Sequence, residues 1–293
     1  MRDRLPPWFK KRMPAPETMS DMKKILDSLH LHTICESAIC PNIGDCFKKK
    51  TATFLMLGDT CTRNCTFCAV KKGVPLPVDK DEPEHLTDAV RQLGLKHVVI
   101  TSVTRDDLAD GGAGHFAETI RQLQADNPAL TIEVLVPDFA GNPEATKTLV
   151  ESHPDIINHN LETVPRLYHE VRPMANYKRS LELLRLVKEL DNSIITKTGL
   201  MVGLGEDGEE IYRVMDDLRE IDCDLLTIGQ YLAPSTRHHP VVRYVTPEEF
   251  GEYERIGMEK GFRGVASSPL VRSSFDAASL YANAMKEVGP ENG

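Results

Sequence analysis

The stretch Thr53-Phe54-Leu55-Met56-Leu57 runs directly into Gly58-Asp59-Thr60-Cys61-Thr62-Arg63-Asn64-Cys65-Thr66-Phe67-Cys68. A short run of apolar and β-branched residues bounded by Gly-Asp reads as a buried strand. Three cysteines follow at x3 and x2 spacing, beginning four residues after that run. Reactive groups placed just beyond the carboxyl end of a strand are the usual arrangement of parallel α/β folds, so this stretch predicts both a fold class and the edge that carries the chemistry.

Working outward, five more strand-like runs recur at His97–Thr101, Thr131–Val136, Asp155–Asn158, Ile194–Met201 and Leu225–Ile228. The first and sixth runs begin 172 residues apart, or about 34 per step, the size of one βα unit. Helical patterns fill the gaps: Pro83–Leu93, His115–Ala125, Pro143–Glu151, Tyr177–Leu190, Glu209–Ile221 and Pro247–Lys260, the last with Thr246 as its cap and Gly261 at its end. The expected fold is α/β, a partial (β/α)6 TIM-type barrel over residues 51–261. An N-terminal extension (1–50) precedes it and a C-terminal closing segment (262–293) follows. Within the extension, residues 1–17 are Pro-rich and read as an arm. Met19–His30 has helical spacing, with Met22, Ile25, Leu26 and Leu29 on one face and Ser20 as cap.

Of 293 residues, 41% are hydrophobic and 27% charged, which excludes collagen-like and disordered classes. No apolar run reaches the ~18 residues of a membrane helix. The N-terminus carries charges and prolines rather than the apolar core of an export signal, so a reducing, cytoplasmic setting is expected.

That setting decides how the seven cysteines are read. Six fall within 34 residues as two triplets, Cys35-x4-Cys40-x5-Cys46 and Cys61-x3-Cys65-x2-Cys68. Structural zinc takes four ligands, commonly paired as C-x2-C. Triplets of thiols instead suit four-iron clusters that keep one iron free for another ligand. Cys223 stands alone and reads as a buried small apolar residue. His115, His153, His159, His238 and His239 have no metal-like spacing with one another.

The Cys61-x3-Cys65-x2-Cys68 triplet, with Phe67 before its last cysteine, resembles the radical S-adenosylmethionine (SAM) superfamily. The fifth strand ends in Gly199-x-Met201-x-Gly203-x-x-Glu206, similar to the superfamily motif that backs the SAM adenine. Asn160 and Glu162 sit where the superfamily often contacts the ribose. Three further features narrow the resemblance to the lipoyl synthase family. They are the paired triplets, the string Thr101-Ser102-Val103-Thr104-Arg105-Asp106-Asp107-Leu108-Ala109-Asp110-Gly111-Gly112, and the late Arg272-Ser273-Ser274-Phe275. The contexts Cys35-Glu36-Ser37 and Cys40-Pro41-Asn42 match as well.

The resemblance implies two 4Fe–4S clusters and SAM. Cys61, Cys65 and Cys68 would hold the SAM-cleaving cluster. Cys35, Cys40 and Cys46 would hold an auxiliary cluster, with Ser274 on its fourth iron. The implied substrate is an octanoyl chain on a lysine of a lipoyl carrier domain, such as the E2 subunit of a 2-oxoacid dehydrogenase or the glycine cleavage H protein. Two sulfurs would enter at C6 and C8, with two SAM used per product. Unactivated C–H bonds yield to a carbon radical rather than to acid–base groups. An electron donor such as flavodoxin or ferredoxin and an iron–sulfur delivery protein are implied partners. The family usually has Tyr where Phe275 stands.

Charge adds one expectation. The chain carries 35 Lys or Arg against 44 Asp or Glu, a net of −9, which argues against a nucleic-acid partner. Yet residues 1–75 hold 13 basic and 7 acidic residues. Lys48, Lys49, Lys50, Lys71 and Lys72 flank the triplets and suit an acidic carrier domain. Arg63, Arg105, Arg172, Arg237 and Arg272 are candidates for carboxylate or substrate contacts. The rival readings are another two-cluster radical SAM sulfur transferase and, outside enzymes, an iron–sulfur electron-transfer or carrier protein.

Overall fold

The computed structural model describes residues 5–9, 23–48 and 51–287. After a 3-10 turn at Pro7–Phe9 and a helical stretch at 23–28, its elements in chain order are β1 (His32–Thr33), α1 (Ile34–Ser37), α2 (Ile43–Lys48) and β2 (Thr53–Met56). A small ribbon, β3 (Thr60–Cys61) with β4 (Lys71–Lys72), interrupts the alternation. It resumes with α3 (Glu82–Leu93), β5 (His97–Ser102), α4 (Ala113–Asp126), β6 (Thr131–Leu135), α5 (Pro143–Val150) and β7 (Ile156–Asn158). Next come α6 (Tyr168–Val171), α7 (Tyr177–Leu190), β8 (Ile195–Val202), α8 (Gly208–Glu220) and β9 (Leu225–Gln230). The chain ends with α9 (Pro247–Glu259), β10 (Gly264–Ser267) and α10 (Ala277–Glu287).

The main sheet has the order β1-β2-β5-β6-β7-β8-β9-β10. Its last seven strands are parallel, and β1 pairs antiparallel with β2. Among the described residues β1 and β10 do not pair with each other, so the barrel is partial. The six expected strands are all present. A seventh, β10, lies inside what the sequence reading treated as the closing segment.

Strand alternation sorts side chains into two layers. Val98, Ile100, Ile132 and Val134 are fully buried under the helices. The opposite faces point into the barrel: Lys197 of β8 reaches Glu133 of β6 at 2.8 Å across the intervening β7. Helix α10 covers the amino ends of the strands, packing Leu280, Tyr281 and Ala284 on Ile156, Ile195 and Leu225. The carboxyl ends are left for the site.

Helix starts follow the expected chemistry. Thr246 caps α9 in a reciprocal box with Glu249, and Asp207 does the same for α8 with Glu210. Of the expected Met19–His30 helix, residues 23–28 are helical. Met19, Ser20 and Met22 lie outside the described residues, as do Lys49, Lys50 and most of the Pro-rich arm.

Candidate active site

The chain leaves β2 through Leu57 and Gly58, both at positive φ (65° and 90°). This is a sharp reversal at the strand's carboxyl end. The buried carboxylate of Glu82 accepts the Leu57 N–H at 2.9 Å and lies 2.8 Å from His115 Nε2. The loop carrying Cys61, Cys65 and Cys68 is then tied down on every side. Thr62 N–H donates to Thr104 O, and Thr66 N–H to Val171 O, each at 3.0 Å. His239 N–H donates to Thr66 O, also at 3.0 Å. Lys72 Nζ donates to Cys65 O at 2.9 Å.

Arg63, inside the loop, is buried and bridges Asp106 at 2.7 Å and Asp138 at 2.6 Å. Asp138 also holds Arg179 at 2.7 Å. Burial pushes the Asp138 carboxyl up, but hydrogen bonds and charge from Arg63 outweigh it and hold the group at about 2. Arg105 is likewise spent on Asp107 and Leu57 O. Of the two roles expected of them, carboxylate or substrate contacts, Arg63 and Arg105 make carboxylate contacts, and these brace the loop. A guanidinium already facing two carboxylates has little left to offer a ligand.

Burial pushes the Cys68 thiol up to about 12. It raises Cys65 as well, against the opposing charge of Arg172, and Cys61 lies close enough to add to both shifts. Thiols raised in this way, gathered on one loop, ionise together only beside a cation, the condition a metal cluster satisfies.

The first triplet is carried by two short helices and their connection. Cys35 lies on α1 and Cys46 on α2, with Cys40 between them. Thr33 caps α1, its hydroxyl accepting the Glu36 N–H and donating to the Glu36 carboxylate. That local pairing folds the four-residue helix. Cys35 is buried and its thiol is pushed up to about 12 by that burial, with Cys40 and Cys46 adding to the shift.

Cys35, Cys40 and Cys46 line one cavity of about 350 Å³, and Arg272 and Ser274 line it from the far end of the chain. Among the described residues no three Cys, His, Asp or Glu side chains converge as a single ion's ligands would. Thiols spread around a cavity fit a multi-iron cluster, whose corners stand apart, better than one small ion.

Beyond β7, Glu162 adopts φ 66°. Its N–H donates to Gly199 O at 2.9 Å and its carbonyl accepts the Met201 N–H at 2.8 Å. The segment thus lies along the end of β8, which brings Asn160 and Glu162 beside Met201. Asn160 Nδ2 donates to Glu162 Oε1 at 3.1 Å. Gly203, at φ 92°, ends the strand; a β-carbon there would come within 2.1 Å of Gln230 Nε2 and 2.5 Å of Arg243 O. Glu206 accepts the Gly203 and Leu204 N–H groups at 2.6 and 2.9 Å. Gln230 binds four backbone groups, including Arg243 O and the Val245 N–H, so it positions a loop rather than a ligand. Phe67 is half-buried and packs on the core.

Arg172, an unranked candidate in the sequence, is buried beside Asn160. Its Nη1 donates to Asn160 O and Leu161 O at 2.8 and 3.1 Å, while its buried Nε has no partner. The same Nη1 donates to Tyr168 Oη at 3.2 Å, and the guanidinium lies over the Tyr168 ring.

A partial parallel barrel with a three-thiol loop at the carboxyl end of its first parallel strand defines a radical SAM enzyme. The model of the radical SAM superfamily matches residues 55–218, and that of the lipoyl synthase N-terminal domain matches residues 1–40. The chain belongs to the lipoyl synthase family. It is 59% identical to lipoyl synthase of Caldanaerobacter subterraneus subsp. tengcongensis, covering 94% of this chain and 97% of that one. It is 56% identical to lipoyl synthase of Caldicellulosiruptor bescii, over 93% and 94%. Among solved structures, the fold is similar to methylornithine synthase, with TM-score 0.57 at 14% identity over 93% of this chain and 77% of that one. Family members are radical SAM sulfurtransferases that use SAM and 4Fe–4S clusters and act on lipoyl carrier proteins. No helix among the described residues is long and apolar enough to cross a membrane.

Proposed function

We propose that the chain inserts two sulfur atoms, at C6 and C8, into an octanoyl chain held on the lysine of a lipoyl carrier domain. In this reading Cys61, Cys65 and Cys68 hold the SAM-binding cluster, and Cys35, Cys40, Cys46 and Ser274 hold the auxiliary one. When bound, these groups supply a primary carbon radical that removes hydrogen from unactivated carbon, and the sulfur that replaces it. The protein's own work is positioning. Asn160 and Glu162 receive the ribose, while Met201, Gly203 and Phe67 flank the rest of the nucleoside. The braces through Arg63 and Glu82 keep the cysteine loop fixed against the sheet.

The observation that carries this reading is the shared cavity of three cysteines and one serine, residues from opposite ends of the chain. Residues 1–50 then act as the auxiliary-cluster extension, 51–261 as the radical-generating barrel, and 262–293 as the segment that adds β10 to its sheet and delivers Ser274. A flavodoxin- or ferredoxin-type donor supplies electrons, a cluster-delivery protein restores the auxiliary site, and the setting is cytoplasmic. The deciding experiment is mass spectrometry of an octanoylated carrier domain after incubation with reconstituted enzyme, SAM and reductant. The expected result is a gain of two sulfurs with two 5′-deoxyadenosines per lipoyl group; 5′-deoxyadenosine without sulfur gain would overturn it.

A further inference from the structure

Residues 269–274 form a strap across the barrel mouth. Pro269 O accepts the Gln230 N–H of β9 at 3.3 Å. Leu270 O accepts from Asn42 Nδ2, in the auxiliary loop, at 2.6 Å. Two strand glycines make room for it. A β-carbon on Gly229 would sit 2.1 Å from Val271 O, and one on Gly199 would sit 2.7 Å from Ser273 Oγ. Neighbouring serines of the strap then part company. Ser274 lines the auxiliary cavity. Ser273 turns the other way and donates to Asn160 Oδ1 at 2.8 Å.

That bond has a definite polarity. Asn160 Nδ2 donates to Glu162 Oε1 at 3.1 Å. The amide must therefore present its oxygen to the serine, whose O–H donates. The three groups make one ordered chain, Ser273 to Asn160 to Glu162, with the rotamer of Asn160 fixed from both sides. Thr227 Oγ1 would stand 2.9 Å from the same Gly199 β-carbon position, so the space admits little other arrangement.

We infer that Ser273 is a positioning residue for SAM: its hydroxyl sets the amide of Asn160, so the strap that carries Ser274 to the auxiliary site also orders the nucleoside-binding pair. The inference rests on the proposed roles of Asn160 and Glu162. It gives the two adjacent serines separate tasks, one on each side of the strap.

The test is the dissociation constant of radiolabelled SAM, measured by equilibrium dialysis on reconstituted protein, alongside iron content. Ser273→Ala should weaken SAM binding roughly fivefold, the scale of one lost net hydrogen bond, with iron at the wild-type level. In an Asn160→Ala background the same change should add little, because the group it positions is gone. Unchanged affinity in Ser273→Ala would overturn the inference, as would a full additive loss in the double variant. A loss of affinity that merely tracks loss of iron would assign Ser273 to cluster assembly instead, and also overturn it. Failure of the wild-type protein to bind SAM would sink the proposed function itself, a result distinct from all of these.

Discussion

Ser274 brings a hard oxygen to a cavity that three soft thiols also line. Iron in a sulfide-rich cluster favours thiolate over hydroxyl or alkoxide, so an oxygen ligand there is the one most easily released. A sulfur donor that must open needs such a corner. Ser274→Cys should therefore leave iron content near wild type and 5′-deoxyadenosine formation intact, while lipoyl product falls by at least tenfold. Ser274→Ala should still assemble a cluster on three thiolates yet fail in sulfur insertion. Iron analysis and product mass spectrometry on the same samples check both; full product formation by the cysteine variant would remove ligand release from the mechanism. The sequence motif points to this serine, and the local backbone separates it from its neighbour. Residues 273–276 form a turn, not an extended segment, and the turn sends the two side chains to different sites.

At the scale of elements, six strands and six helices were legible because each repeats one period strongly: apolar runs about 34 residues apart, separated by amphipathic helices with recognisable caps. What escaped was short or lacked a period. The seventh strand, Gly264–Ser267, is four residues long and opens with glycine, too little for alternation to register. Helices α1 and α2, of four and six residues, are too short to show a hydrophobic face, and α1 is set by its Thr33 cap. Helix α10 covers the strand ends with Leu280, Tyr281 and Ala284, a pattern that looks like an ordinary surface helix until the barrel beneath it is known. Element joints also carry a pH signature. His159, at the end of β7, has Nδ1 2.8 Å from Val136 O and Nε2 3.0 Å from Ser180 Oγ of α7. A neutral ring with its proton on Nδ1 satisfies both, donating to the carbonyl and accepting from the hydroxyl. Burial, aided by the charge of Arg172, pushes the imidazole down to about 4. An unfolded histidine titrates near 6.5, so between these values the unfolded chain gains a proton that the folded one refuses. This contribution to stability is whole above about pH 6.5 and is lost as pH falls toward 4, by about 3 kcal/mol in total. His159→Gln should lower the melting temperature at neutral pH but flatten its dependence across that window. Parallel melting curves for both proteins from pH 7 to 4.5 would refute the assignment.

Over the whole molecule, the charge split visible in the sequence meets a geometric constraint: the substrate comes attached to a folded domain, which must dock around the mouth of the site. The β3–β4 ribbon there carries Lys71 and Lys72 within a chain of net charge −9. The two lysines have different work. Lys72 holds the Cys65 carbonyl at 2.9 Å, inside the proposed cluster loop. Lys71 is exposed, with Asp59 3.8 Å away as a loose partner, and such a surface pair contributes little to folding. So loose a pairing leaves the ammonium able to act on an approaching partner. An acidic carrier approaching this face is attracted over roughly 10 Å at 0.1 M salt and over only about 3 Å at 1 M. Lys71→Glu should therefore raise the KM for an octanoylated carrier domain roughly fivefold at low ionic strength, with kcat unchanged, because steering acts on encounter and not on chemistry. The difference from wild type should shrink below about twofold near 0.5 M salt as screening takes over. A short octanoyl-lysine peptide lacking the carrier's charges should show no difference at either salt concentration. If the substitution raised KM equally for peptide and domain, or did so independently of salt, Lys71 would be acting on the local loop, and the basic face would have to be explained by something other than docking.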